Sequence, residues 1–287
     1  MKEFSLDTRI KVLMNKYNFN FRKSLGQNFL IDDKILKGIV AAANLSKDDK
    51  VLEIGPGMGF LTELLAADAG LVTAIEVDPK LSKMLKEIYA EDENIIINNA
   101  DALKLDFQET AAQGEACGFK EPFKIVANLP YYITTPLLFY FLENRQYWSE
   151  MVLMVQKEVA QRIVAAAATK DYGVLSLMVQ YDADCEIVLP VPSECFRPRP
   201  SVDSAVLHLI KRTEPPFAVE DRKMFRTLVK AGFGQRRKTL YNALANSGME
   251  KSKEEITQLL ANCNIDGKRR GETLSFEEYA MLSNNIE

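Results

Sequence analysis

Four consecutive residues near the middle of the chain carry groups suited to holding a small planar amine. The apolar run "FKIVA" predicts a buried strand, and Asn128, Leu129, Pro130 and Tyr131 follow it directly. Pro130 restricts Leu129 to an extended conformation, which fixes the direction of the Leu129 carbonyl. The Asn128 amide and this carbonyl then form two neighbouring acceptors, and the Tyr131 ring offers a face on which a base can stack.

Two aligned acceptors suit a reaction at an aromatic exocyclic amine. The lone pair of such a nitrogen is delocalised into the ring, and acceptors on its N–H bonds favour a pyramidal nitrogen with a localised lone pair. Holding the amine in line with an electrophilic methyl group then requires neither a catalytic base nor a metal. The only histidine, His208, lies in the apolar run "AVLHLI" and is predicted to be a structural strand residue, and no metal site is predicted.

A glycine-rich turn follows an earlier predicted strand. Gly55, Gly57 and Gly59 come directly after "VLEI" and before an amphipathic helix, where the backbone can bend sharply and approach a ligand. Glu76 ends the next strand about 20 residues later, where a carboxylate can accept hydrogen bonds from both hydroxyls of a ribose. Asp101 ends the third strand and can reach an adenine amine. These strand ends predict an adenine-nucleoside site.

The spacing of the glycines favours S-adenosylmethionine as the cofactor. A nicotinamide dinucleotide site needs the GxGxxG turn, which places a helix N-terminus on a pyrophosphate, and it also needs a hydride-transfer site. The turn here, "GPGMG", has the GxGxG spacing instead, and no hydride-transfer site is recognised. A turn whose glycines serve only its own geometry is the alternative.

Length and composition predict a soluble protein with one large and one smaller domain. The chain has 287 residues, of which 47% are apolar. No apolar run approaches the roughly 20 residues that span a bilayer, and the N-terminus lacks a signal-peptide core, so a cytoplasmic location is expected. The four cysteines are too far apart for a zinc or CxxC motif and are interpreted as reduced thiols.

Short apolar runs alternate with helical patterns up to about residue 214, which predicts an α/β fold with a mostly parallel sheet. The runs "CEIVLPVPSECF" and "SAVLHLIKR" predict an antiparallel pair at the edge of this sheet. After Pro215 and Pro216 the pattern is helical throughout. The predicted domains are therefore 1–214 and 215–287.

Charge is segregated along the chain, although the net charge is only −4. Residues 2–23 carry six Lys or Arg against two acids, and residues 196–240 carry 11 against four, whereas the segment between them is acidic. Such segregation favours a phosphate-binding face, with solvated surface charge as the alternative. The candidate RNA-binding residues are Arg22, Lys23, Arg197, Arg199, Arg236, Arg237 and Lys238.

Several of these motifs together resemble one enzyme family. "NLPY" resembles the (Asp/Asn)-Pro-Pro-Tyr motif of adenine amino-methyltransferases. "KSLGQNFLID", "EIGPGMGFLT", "IEVDP", "NLPYYITTP", "VQKEVAQRI", "FRPRPSVDSAV", "FGQRRKTL" and "GETLSFEEYA" follow the order and spacing of the KsgA/RsmA family of ribosomal RNA adenine dimethyltransferases. The resemblance covers nearly the whole chain. One departure is Ser201, where many members have a lysine that contacts phosphate.

The resemblance implies site residues as well as a fold. Phe196 is implied as a second stacking ring opposite Tyr131. The implied fold is a Rossmann-like class I methyltransferase domain with a basic N-terminal segment, followed by a small all-α domain that binds RNA and contacts the ribosome. The residues implied to bind the cofactor are Gln27, Asn28, Leu30, Gly55, Gly57, Glu76, Asp101 and Asn128.

The implied substrate is a pair of adjacent adenosines in a hairpin loop near the 3′ end of small-subunit ribosomal RNA. Each would be dimethylated on its exocyclic amine during small-subunit biogenesis, by an enzyme expected to act as a monomer. Two alternatives stay open within the same fold. One is a dimethyltransferase of the macrolide-resistance type that acts on large-subunit RNA, and the other is a non-catalytic ribosome-assembly factor.

Overall fold

The computed structural model describes residues 4–19, 21–22, 26–107, 122–235, 237–249 and 251–286. The chain divides into two compact units, one formed by 1–160 with 184–211 and the other by 161–183 with 212–287. The segment 161–183 belongs to the second unit, although the sequence places it within the first predicted domain. The separate functions expected of 1–214 and 215–287 stay predictions.

Nine strands are present in the described residues. They are β1 (Phe29–Leu30), β2 (Lys50–Ile54), β3 (Leu71–Glu76), β4 (Ile95–Asn99), β5 (Phe123–Asn128), β6 (Trp148–Gln156), β7 (Ala183–Val191), β8 (Phe196–Arg197) and β9 (Ser204–Lys211). Seven of them form one sheet in the order β4-β3-β2-β5-β6-β9-β7. The pairs from β4 to β6 are parallel, and β9 runs antiparallel to β6. The predicted mostly parallel sheet is confirmed.

Among the described residues, five α-helices lie entirely within the first unit, and their ends follow from local sequence. They are α1 (Leu6–Lys16), α2 (Asp33–Ala43), α3 (Phe60–Asp68), α4 (Pro79–Ile88) and α5 (Thr134–Glu143). The Asp32 carboxylate caps α2 by accepting from the backbone N–H groups of Lys34 and Ile35, at 2.9 and 3.1 Å. Helix α4 begins with Pro79, whose missing N–H costs nothing at a first helical position.

A second, two-stranded sheet was not predicted from the sequence. Strands β1 and β8 pair antiparallel, with Leu30 opposite Phe196 and Phe29 opposite Arg197. The backbone N–H of Ile31 also donates to the Cys195 carbonyl at 2.8 Å. This pairing joins the "GQNFL" segment near the start of the chain to the "FRPRP" segment, which lies more than 160 residues further on.

The second unit is helical. Strand β6 continues directly into α6 (Lys157–Ile163), as predicted, and α6 crosses from the first unit to the second. The other helices are α7 (Val174–Asp182), α8 (Arg222–Gly234), α9 (Leu240–Ala245), α10 (Lys253–Asn262) and α11 (Phe276–Asn284). Aromatic rings fill the core: the Phe233 ring lies 5.6 Å from that of Tyr172 and 6.0 Å from that of Tyr279. None of the described helices is long and apolar enough to cross a membrane.

Two glycines of α8 provide a matched test of this packing. A Cβ atom on Gly232 would lie 2.2 Å from the Tyr279 hydroxyl, and that ring is fully buried with its hydroxyl bonded to the Gly271 carbonyl. A Cβ atom on Gly234 would meet nothing within 4 Å. We therefore expect Gly232→Ala to lower the free energy of unfolding by about 1 to 3 kcal/mol. Gly234→Ala should leave it unchanged or raise it by roughly 0.5 kcal/mol.

Urea denaturation of the two variants measures this difference. Equal midpoints for both would show that α8 does not pack against Tyr279 as described.

Candidate active site

A cavity of about 210 Å³ opens at the carboxyl ends of the central parallel strands. The turn after β2 supplies Gly55 and Gly57, the end of β3 supplies Glu76, and the end of β5 supplies Asn128. Strand β2 lies between β3 and β5, so the strand order reverses here, and ligands of α/β sheets bind at such a point. The structure thus brings the predicted strand-end residues together.

The turn after β2 requires glycine at two positions. Gly55 and Gly57 have φ angles of +69° and +59°, in the left-handed region. A Cβ atom on Gly57 would also lie 2.8 Å from the Phe29 ring, so the space beside the backbone is already filled on that side. The Gly55 N–H donates to the Ile75 carbonyl at 2.9 Å, which ties the turn to β3.

The buried carboxylate of Glu76 is held by backbone N–H groups on both sides. Its Oε2 accepts from Gly57 at 3.2 Å, and its Oε1 accepts from Asp78 at 2.8 Å. Burial nevertheless raises the pKa of Glu76 from 4.5 to about 7, because removal from water disfavours the charged form more than these hydrogen bonds favour it. The side chain can accept hydrogen bonds from ligand hydroxyls at the cavity wall.

A second buried acid, Glu53, was not predicted as a site residue. It lies within β2, lines the same cavity and accepts a hydrogen bond from the Thr62 hydroxyl at 2.6 Å. Complete burial raises its pKa to about 8. The signal in the sequence was the acid itself, because a glutamate inside the apolar run "VLEI" must either be paired or serve a ligand.

Asp101 also lines the cavity, just after β4. Its Oδ1 accepts from the Leu103 N–H at 3.1 Å, which caps the short 3₁₀ turn Ala102–Lys104. Its Oδ2 lies 3.9 Å from the Lys104 ammonium, and both side chains are substantially exposed. The carboxylate therefore retains contact with solvent and with the cavity, as an adenine-amine acceptor would need.

Residues 26–30 line the same cavity. The Asn128 amide donates to the Asn28 carbonyl at 3.5 Å, so two predicted site residues 100 positions apart meet here. The Asn28 side chain donates to the Gly26 carbonyl at 3.1 Å, and Leu30 is buried at the edge of the cavity. Gln27 lines the cavity as well, although its amide is bonded to Arg22 and Asp78.

The residues after β5 are arranged as two acceptors and a ring. The Leu129 N–H donates to the Met154 carbonyl at 3.1 Å, which fixes this residue to β6. The Pro130 carbonyl is taken up by α5, since it accepts from the Ile133 N–H at 3.2 Å and from the Thr134 hydroxyl at 3.1 Å. The Pro130 carbonyl is thus engaged within the protein, and the Leu129 carbonyl as an acceptor for a ligand stays a prediction.

The Tyr131 ring is half-buried at the cavity and has a fixed orientation. Its hydroxyl lies 2.7 Å from the hydroxyl of Ser204, a buried residue at the start of β9. Burial raises the pKa of Tyr131, so the phenol stays neutral at ordinary pH. Tyr132 is exposed, and its ring packs 3.2 Å from the position of a Cβ atom on Gly26.

The structure does not place Phe196 as the sequence predicts. Phe196 has no accessible surface, is absent from the cavity lining and pairs with Leu30 between β8 and β1. A ring without an exposed face cannot contact a base unless the surrounding residues move. A core position, rather than a stacking position, is what the packing of Phe196 supports.

Three candidate RNA-binding arginines are held by carboxylates. The partners are Asp78 for Arg22 at 3.5 Å, Asp7 for Arg197 at 3.5 Å, and Glu194 for Arg199 at 3.4 Å. Arg237 and Lys238, in the second unit, are exposed. Lys23 and Arg236 lie outside the described residues.

Among the described residues, no three His, Cys, Asp or Glu side chains are grouped so that they could hold a metal ion.

A sheet of this order with a glycine turn and a ribose-type acceptor at its switch point defines a Rossmann-like methyltransferase. The chain matches the family described as "Ribosomal RNA adenine dimethylase" over residues 18–282, and it belongs to that family. It is therefore an S-adenosylmethionine-dependent enzyme of the rRNA adenine dimethyltransferase class, and the predictions of enzyme class and cofactor are confirmed.

Curated relatives match the whole chain. Proteins named "Ribosomal RNA small subunit methyltransferase A" from Bacillus mycoides and Clostridioides difficile are 46% and 47% identical, and each match covers 100% of this chain and 98% of the relative.

Solved structures are similar as well. A dimethyladenosine transferase from Plasmodium falciparum matches with a TM-score of 0.74 and 26% identity, over 88% of this chain and 95% of that one. The 23S rRNA methyltransferase ErmE matches with a TM-score of 0.65 and 29% identity, over 90% and 99%.

The raised pKa of Glu76 predicts a measurable pH dependence of stability. The folded protein keeps this carboxyl protonated up to about pH 7, whereas the unfolded chain releases the proton near pH 4.5, so stability is lost as the pH rises between these values. Glu76→Gln does not titrate. We expect the wild-type protein to lose roughly 2 to 3 kcal/mol more than Glu76→Gln between pH 5 and pH 8.

Urea denaturation at a series of pH values measures this difference. Because the charge of Glu76 also raises the pKa of Glu53, the comparison is made with Glu53→Gln present in both proteins. Parallel pH profiles would show that Glu76 is ionised in the folded protein throughout this range.

Proposed function

We propose that this protein transfers methyl groups from S-adenosylmethionine to the exocyclic N6 of two adjacent adenosines in the 3′-terminal hairpin loop of small-subunit (16S) ribosomal RNA. The products are N6,N6-dimethyladenosines. The observation that carries this proposal is the meeting of the glycine turn, Glu76 and the Asn128–Tyr131 segment in one cavity. The full-length similarity to relatives named for the small subunit supports the choice of RNA.

The cavity fits the proposed cofactor. Glu76 would accept hydrogen bonds from the ribose hydroxyls, Asp101 would accept from the adenine amine, and the turn at Gly55 and Gly57 would let the backbone approach closely. When bound, the cofactor supplies a methyl group activated by attachment to a sulfonium.

Asn128, Leu129 and Tyr131 then act on the target adenine. The side-chain oxygen of Asn128 and the carbonyl of Leu129 accept from the two N–H bonds of the amine, which localises the nitrogen lone pair towards the methyl group. Tyr131 stacks on the base, and its bond to Ser204 keeps the ring from turning. The proton lost by the alkylated nitrogen passes to water after transfer, so no side chain has to act as the base.

Dimethylation requires the site to accept its own first product. A monomethylated amine has one N–H bond left, so either the Asn128 oxygen or the Leu129 carbonyl loses its hydrogen-bond partner.

Moving an adenosine of a loop into a pocket costs less free energy than moving one out of a duplex, because the loop base is already partly unstacked. The hairpin loop is therefore a better substrate than the adjoining stem.

The basic residues are proposed to bind RNA phosphates. Arg237 and Lys238 are exposed in the second unit, which supports residues 215–287 as the RNA-binding and ribosome-contacting domain. We further propose that the protein works as a monomer in the cytoplasm during small-subunit biogenesis.

A methyl-transfer assay on unmethylated small subunits tests the function. The protein is incubated with labelled S-adenosylmethionine, and the RNA is then digested to nucleosides and the labelled positions are mapped. We expect N6,N6-dimethyladenosine at two adjacent positions of the 3′-terminal loop. Asn128→Ala should abolish the label and still bind the cofactor in calorimetry.

Labelled cytidine would contradict the proposed chemistry. In a parallel assay on large subunits, label on the large-subunit RNA, with none on the small subunits, would assign the enzyme to the other substrate.

The stacking role of Tyr131 predicts an ordered series of variants. Tyr131→Ala should slow single-turnover methylation about 10- to 100-fold, since stacking contributes roughly 1 to 3 kcal/mol per base. Tyr131→Phe keeps the ring and loses only the bond to Ser204, so it should slow the reaction much less. Ser204→Ala removes the same bond from the other side, and the double variant should be no slower than either single variant.

A rate for Tyr131→Phe as low as that for Tyr131→Ala would show that the hydroxyl, rather than the ring, is what the reaction needs.

A further inference from the structure

Asp78 is a fully buried carboxylate that the proposed reaction does not use. It follows Glu76 by two positions and does not line the cavity. A buried aspartate is costly unless its oxygens have hydrogen-bond partners, so the groups that reach it show what it does.

One oxygen of Asp78 has an ordinary local role. Oδ1 accepts from the Lys80 N–H at 2.9 Å and caps α4. An asparagine or serine at this position could provide the same cap, so capping explains neither the charge nor the second oxygen.

The second oxygen of Asp78 holds residues from the start of the chain. Oδ2 lies 3.3 Å from the amide nitrogen of Gln27, which donates to it, and 3.5 Å from Nε of Arg22. The side-chain oxygen of Gln27 accepts a hydrogen bond from the backbone N–H of Arg22 at 2.7 Å. Both polar ends of Gln27 are thus engaged by protein groups, and these bonds fix the orientation of its amide beside the cavity.

The same aspartate also holds the ribose acceptor. Its backbone N–H donates to Oε1 of Glu76 at 2.8 Å. Asp78 therefore contacts two walls of the cavity at once, the end of β3 through its backbone and Gln27 through its side chain. Gln27 adjoins Asn28, whose carbonyl receives the Asn128 amide.

We propose that Asp78 is a positioning residue for cofactor binding, which fastens Gln27 and the neighbouring residues 26–30 beside Glu76 through its buried Oδ2. Gln27 acts through Asp78 rather than as a direct ligand, and Arg22 supports the same contact in the free protein. This inference rests on the proposed function, because it assigns the cavity to S-adenosylmethionine.

Asp78→Asn separates positioning from capping. Asparagine caps helices as well as aspartate does, so its Oδ1 can keep the bond to Lys80. Its second terminal atom is then an NH₂ group, which cannot accept from Gln27 or Arg22. We expect the dissociation constant for S-adenosylmethionine, measured by calorimetry without RNA, to rise about tenfold, as for a lost charge-assisted hydrogen bond.

The expected changes in KM and kcat differ from those of a variant that is merely destabilised. The KM for S-adenosylmethionine should rise by the same factor, while kcat at saturating cofactor stays within about twofold, because Asn128 and Leu129 do not contact Asp78. Asp221→Asn is the matched control: Asp221 caps α8 through the Lys223 and Met224 N–H groups, in the second unit. It should bind the cofactor as the wild-type protein does.

A double-mutant cycle that combines Asp78→Asn with Gln27→Leu tests whether Gln27 acts through Asp78. If Gln27 acts through Asp78, the combined variant binds no more weakly than the weaker single variant. Additive losses would show that Gln27 contacts the cofactor directly and would overturn the proposal. Should Asp78→Asn fail to fold, Asp78→Ser carries the test, because serine can cap α4 but has no second oxygen for Gln27, and the same weaker cofactor binding is expected.

Failure of this inference can be told from failure of the proposed function. A wild-type protein that does not bind S-adenosylmethionine would refute the function itself. Wild-type affinity in Asp78→Asn, with normal binding by the wild-type protein, would refute only the positioning role. Loss of kcat at saturating cofactor, with unchanged affinity, would also overturn it.

Discussion

The site depends on one constraint, which is that the carboxyl ends of three neighbouring parallel strands lie side by side. Because β2 lies between β3 and β5, its glycine turn has Glu76 on one side and Asn128 on the other. On a sheet of different order, at least one of these motifs would lie a further strand spacing of about 4.8 Å away from the glycine turn. The chemistry of the site is therefore a property of strand order as much as of residue type.

Burial sets the electrostatic character of this edge. Glu53 and Glu76 both line the cavity, and removal from water raises the pKa of each well above 4.5. A positively charged ligand reverses this effect, since a nearby cation favours the ionised form of a carboxyl group. The cavity is thus suited to a sulfonium compound, whose charge would be attracted by acids that the free protein holds partly protonated near neutral pH.

The positions of the strand-end residues could be predicted from the sequence, because the hydrophobic pattern locates each strand and parallel strands end on the same side of the sheet. A buried strand followed by a polar residue places that residue at the carboxyl edge, which is why Gly55, Glu76, Asp101 and Asn128 were found along one cavity. Phe196 was misjudged because a motif shows where the chain passes and not which way a ring points. That direction depends on the pairing of Leu30 with Phe196, two residues far apart in sequence.

Gln27 and Glu53 show the same limit in another form. Gln27 was predicted to contact the cofactor because it lies in the motif "GQNFL". In the structure its side-chain amide is hydrogen-bonded to Arg22 and Asp78. An acid inside a strand was read as part of the strand, although its burial beside the cavity distinguishes Glu53 from an ordinary core residue. The orientation of Gln27 depends on Asp78, which lies 51 positions away, whereas the glutamate within the apolar run "VLEI" was a local signal for Glu53 that was not used.

Selection of the RNA must depend on groups outside the cavity. The sheet is shared with ErmE, which is named for 23S rRNA, so this fold serves enzymes with different RNA substrates. Arg22, Arg197 and Arg199 already have carboxylate partners, and a phosphate would have to compete with those partners for the same guanidinium groups. Arg237 and Lys238 are exposed, so RNA can reach them at less cost. Phosphate contacts position an RNA without reading its bases, so under the proposed function these two residues contribute to the register of the RNA and not to the choice of base.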